Sequence, residues 1–151
     1  VQMMSAGSGI RHSEYNPSRE ELVHFLQIWI VPNRKGVEPR YQQQHFADAE
    51  KRGQLRLIIS PDGDEGSLSV YQDIRVYAGL FDSDEAQTFT LPDNRYAYVH
   101  VARGSIEVNG QRLSAGDGAR IRQEQHIALQ NGVAAEVLLF DLRPNELALV
   151  R

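Results

Sequence analysis

Apolar and polar positions alternate over short stretches through most of this chain, and turn residues separate the stretches. "LRLIIS" runs into a "PDGDEG" turn, followed by "LSVYQDIRVYAGLF", "QTFTL" and a "PDN" turn. Then comes "YAYVHVARGSIEVNGQRL", in which Asn109-Gly110 lies between two alternating segments, the strongest local signal for a hairpin. "HIALQNGVAAEVLLFDL" carries Asn131-Gly132 and is read as a second hairpin of the same kind. Many short strands punctuated by Gly, Asn and Asp predict an all-β barrel or sandwich.

The first third of the chain reads differently. "VHFLQIWIV", residues 23–31, is a continuous apolar run closed by Pro32. Ser18 and Glu21 before it have the spacing of a capping box. The run is nevertheless short, β-branched near its end and bounded by proline, so a buried strand is predicted in place of a helix. Residues 32–54 are polar and mixed, and read as a linker with at most a short helix near Ala47 to Lys51. "SAGSGIRHSE" (Ser5 to Glu14) echoes "SAGDGARIRQ" (Ser114 to Gln123). A duplication and a coincidence of turn residues both account for that echo.

Composition narrows the function classes. The 151 residues are 41% hydrophobic and 24% charged, as expected of a globular protein with a substantial core. A net charge of −4 without a Lys/Arg block argues against nucleic-acid partners. No cysteine is present, which removes thiol catalysis and cysteine-ligated zinc. No apolar run reaches membrane length and no signal-peptide pattern occurs, so no membrane partner and a cytoplasmic location are expected. The chain opens on "VQMMSAG", which reads as the middle of a strand and suggests a fragment.

The candidate chemistry lies in "GSGIRHSEYN". On a strand, His12 and Glu14 would face the same side about 6.5 Å apart, a workable spacing for two ligands of one metal. His24, His45, His100 and His126 are each isolated, and no H-x-H occurs. One of Met3 and Met4 is expected to face the barrel interior as core; Trp29 also reads as core, Tyr15 and Asn16 as turn residues, and His126 as a surface or satisfied histidine. Asp82, Asp84 and Glu85 fail the EF-hand spacing and read as a solvated acidic turn.

"MSAGSGIRHSEYNPS", "LVHFLQIWIVP", "PRYQQQHF" and "LIISPDGDEGSLSVYQDIRVYAGLF", in that order, resemble the pirin-like proteins, which are bicupins. The resemblance implies two cupin, jelly-roll-like β-barrels, the N-terminal one truncated here. Residues 1–45 would be its remnant with the linker, and residues 46–151 the C-terminal cupin. It also implies one metal held by three histidines and a glutamate, with His12 and Glu14 as two of the four and the H-x-H pair upstream of Val1. Such a set suits Fe(II), and also Mn, Ni or Cu. Glu14 would be a ligand or a general base toward a flavonol-like substrate. The family implies either a quercetin 2,3-dioxygenase or a metal-dependent regulator for the parent protein; this chain alone is expected to bind no metal and to be inactive, an inert structural cupin fragment. Half a barrel leaves strand edges open, so a homo-oligomer or strand-swapped dimer is expected.

Overall fold

The computed structural model describes residues 1–144. Ten strands account for nearly all regular structure. Among the described residues β1 (Gln2–Ser5) pairs only with β2 (Arg40–Gln43), as a small antiparallel ribbon. The remaining strands are β3 (Leu55–Ser60), β4 (Leu68–Ser69), β5 (Ile74–Phe81), β6 (Gln87–Thr90), β7 (Tyr96–Val108), β8 (Gln111–Ser114), β9 (Gly118–Ile121) and β10 (His126–Leu142).

Two long strands join two sheets. The first half of β7 pairs with the second half of β10, and their other halves pair past a bend. β5 and β9 extend the sheet on one side of the bend, while β6 and β8 extend it on the other. β3 and β4 continue the first sheet beyond β5. The result is the expected all-β cupin jelly-roll, with two sheets hinged through β7 and β10 in place of a closed ring.

The bend has a local cause. β10 slips register between Gln130 and Val133 and again near Glu136, the mark of β-bulges that bend a strand. Asn131 and Ala134 take positive φ there. Opposite them, Gly104 has φ +66, and a Cβ on it would lie 2.2 Å from the Val133 carbonyl oxygen. Only glycine permits that approach. Asn131-Gly132 is therefore a bulge inside one strand, not the second hairpin that its sequence predicts. Asn109-Gly110 does form its hairpin, pairing Val108 with Gln111. The acidic turn has a structural role too: Asp82 Oδ1 accepts hydrogen bonds from the Ser83 and Ala134 amides at 3.1 and 3.0 Å, tying the β5–β6 turn to the bulge.

Side-chain alternation sets two cores. Val99, Val101, Ile106, Val108, Ile127, Leu129, Val137 and Leu139 meet between the sheets, with Phe81 and Leu91. The outer face of the first sheet is apolar as well: Val76, Ala78 and Phe140 pack there with Phe46 and Ile58, and Met3 and Ile30 rest on them. Methionine as core thus holds for Met3. The short helix α1 (Asp48–Lys51) falls where expected. Glu50 fastens its start, accepting from the Ala47 amide at 2.8 Å and from Arg56 Nε at 3.1 Å.

Three sequence expectations are corrected. Residues 23–31 form no strand and are not buried; Trp29 is 87% and Val31 79% exposed. A strand requires a neighbouring backbone, and among the described residues none pairs with this segment. Trp29 is accordingly not core. The supposed linker contains β2. The echo holds only for the turns: Gly7 and Gly116 both take positive φ after a strand ending in serine, but β9 has no counterpart at residues 9–12. Ser18 does behave as a cap, its hydroxyl accepting from the Glu20 and Glu21 amides, although no helix follows.

One buried ion pair closes the sheet end. Arg95 Nε donates to Asp141 Oδ1 at 2.6 Å, and its Nη1 donates to both oxygens of Asp73. The Arg95 side chain is 16% exposed and that of Asp141 3%. Arg95→Ala strands the Asp141 carboxylate and should cost about 3–5 kcal/mol in denaturant unfolding. A second expectation concerns acid. The Ala47 amide, then Arg56, hold the Glu50 carboxyl below its usual range. Its contribution is complete above the unfolded value and is lost as pH falls through the lowered folded value. Glu50→Gln should therefore flatten part of the acid limb of a Tm-against-pH curve.

Candidate functional site

His12 and Glu14 lie on an irregular segment between β1 and residue 18. They are not on a strand, so the i, i+2 argument does not place them. The fold nevertheless brings both to one cleft of about 340 Å³, lined also by Gln2, Met4, Ile10 and Tyr41. Both side chains are exposed, and neither makes a hydrogen bond or ion pair among the described residues. An imidazole and a carboxylate without internal partners, opening on one space, are the donor types of a nitrogen/oxygen metal site.

The β1–β2 ribbon makes one wall of this cleft, and the two-residue period decides which side chains face it. Met4 stands opposite Tyr41, and Gln2 opposite Gln43. Gln2, Met4 and Tyr41 line the cleft. Met3, opposite Gln42, points to the other side, onto the outer face of the first sheet. One methionine thus packs in the core while its neighbour lines the cleft.

The ribbon is fastened to the main sheet at Ser69, on β4. Gln42 Nε2 donates to the Ser69 carbonyl at 2.9 Å, and the Ser69 amide donates back to Gln42 Oε1 at 3.2 Å. Arg40 Nη2 also donates to the Ser69 carbonyl, at 2.8 Å. Its guanidinium lies 4.6 Å from the Tyr71 ring centroid, a cation–π contact that Arg34 shares at 5.4 Å. Gly7, with φ +53, packs where a Cβ would lie 2.1 Å from the Val37 carbonyl, so the turn after β1 is closed against the chain leading into β2.

The other histidines are dispersed. His24 Nδ1 accepts from Arg103 Nε at 3.4 Å, His100 borders a groove on the outer sheet face, and His126 is exposed. No group of three or more metal-ligating side chains occurs among the described residues. His12 and Glu14 therefore have no third ligand among them. Tyr41 was hidden from the sequence reading inside the supposed linker; the alternation in "RYQQ" is the signal that could have exposed it. No helix among the described residues is long and apolar enough to cross a membrane.

Comparison with known proteins agrees with this architecture. Residues 57–142 match the model of the quercetinase C-terminal cupin domain, and residues 1–30 match that of pirin. A quercetin 2,3-dioxygenase of Escherichia coli is 45% identical over 95% of this chain. A pirin-like protein of Caulobacter vibrioides is 38% identical over 93%. The chain spans 61% of the length of each of these relatives. The crystal structure of bacterial pirin YhhW from Escherichia coli, in complex with nickel(II), superimposes with a TM-score of 0.85 at 43% identity, covering 95% of this chain and 61% of that one. With the jelly-roll, the order of the blocks and these relatives in agreement, the chain belongs to the pirin family of cupin proteins.

Proposed function

We propose that this chain is part of a metal-dependent pirin-type oxidoreductase that acts on flavonol-like aromatics, with His12 and Glu14 as two of its metal ligands. The observation that carries the reading is the pair itself, free of internal partners and opening on one cleft. A stable site takes three or four protein ligands, so on this proposal the others come from outside the described residues. In this reading residues 1–45 belong to the metal-bearing cupin with its linker, and residues 46–151 to a second cupin.

The metal is a divalent transition ion. Fe(II) suits a nitrogen/oxygen set with open positions, as do Mn, Ni and Cu, and the similar YhhW is described with nickel(II). When bound, the ion supplies a Lewis acid and redox centre beside the substrate. The chain supplies the rest. His12 donates one imidazole nitrogen to the ion. Glu14 either donates a carboxylate oxygen or, turned toward the substrate, takes the proton of its hydroxyl. Met4 and Tyr41 form an apolar wall suited to a flat ring.

A binding role without turnover has one supporting feature: the apolar segment from Leu22 to Val31, exposed except at Ile30. That segment requires cover. In this chain by itself a second copy supplies it, through a strand-swapped or edge-paired dimer.

Two outcomes test these readings. In the full-length protein, His12→Ala should lower metal content by elemental analysis and abolish quercetin oxidation together, while this chain alone binds no stoichiometric metal. Unchanged metal in the variant sinks the ligand assignment. Light scattering on the purified chain should report twice its 17.0 kDa, and a monomer would refute self-association.

A further inference from the structure

We propose that Tyr41 is a specificity-determining residue of this site, a ring against which a planar aromatic substrate lies. The inference deepens the proposed function and rests on it. Tyr41 belongs to β2, separated from Glu14 by the apolar segment and the turn at Pro32. Register nevertheless sets it opposite Met4, and both line the cleft that holds His12 and Glu14.

Tyr41 is unusual for a residue with a large apolar ring. It is 56% exposed, yet it is held at both ends. Its hydroxyl hydrogen-bonds to Gln43 Oε1 on the same strand. Its neighbours Arg40 and Gln42 are anchored to the Ser69 carbonyl on β4. An exposed aromatic ring held in place costs little conformational freedom when it meets a ligand. Offset or edge-on packing against another ring favours flat aromatic partners. Polyhydroxylated flavonols have that form, and an enolic oxygen on such a ring would be directed toward His12 and Glu14. Tyr41 thus selects the substrate's shape, while the metal ligands act on its oxygen.

The test uses the full-length, metal-loaded protein without oxygen, so that quercetin binding is read without turnover. Tyr41→Ala should weaken quercetin binding about three- to tenfold in equilibrium dialysis. Metal content should stay unchanged. Tyr41→Phe keeps the ring and should retain most of the affinity, losing only the share that the Gln43 hydrogen bond contributes by holding the ring in place. Unchanged affinity in Tyr41→Ala overturns the proposal for Tyr41 alone, and so does metal lost in parallel with affinity. Failure of the unaltered protein to bind quercetin overturns the proposed function and this inference with it.

Discussion

The close approach of Gly104 to the Val133 and Ala134 carbonyls is the constraint on which the rest of the fold depends. At that corner β7 and β10 bend together, and each strand passes from one sheet to the other. The bend also changes which alternate residues face inward. On β7 the buried positions are Ala97, Val99 and Val101 before Gly104, then Ile106 and Val108 after it. A strand without the bulge would turn one of these sets to solvent, because a one-residue slip reverses every side chain. The bulge keeps one continuous core through a change of sheet.

The filled core has a functional consequence. The space between the sheets is packed with Val, Leu, Ile and Phe, so the interior is lined by apolar side chains among the described residues. The apolar outer face of the first sheet receives Met3, Ile30 and Phe46, and Ser69 receives Arg40 and Gln42. The cleft wall is thereby positioned by contacts to Ser69 and to the outer sheet face.

How far the sequence could be read depended on the range of the interactions. Asn109-Gly110 forms its hairpin because the turn and its two strands are adjacent in the chain. The same dipeptide at Asn131-Gly132 does not, because Gly104, Phe81 and Asp82 meet it from distant positions and hold a bulge there. The run at residues 23–31 has the composition of a strand, but composition cannot supply the neighbouring backbone that a strand needs. His12 and Glu14 were identifiable from their types and from the blocks around them. Tyr41 was not, because its place beside them follows from the pairing of β1 with β2 across some thirty-five intervening residues.

The sequence by itself determined the all-β class, the jelly-roll family and the helix near Ala47, and it singled out His12 and Glu14 as candidates. These follow from local period, turn chemistry and side-chain type. Only the tertiary structure decided where β7 and β10 bend, which methionine is core and which lines the cleft, and that Tyr41 shares a space with His12 and Glu14. Each of those depends on strand register and on contacts between residues far apart in the chain, and the local alternation of apolar and polar positions carries no information about which strand a segment will meet.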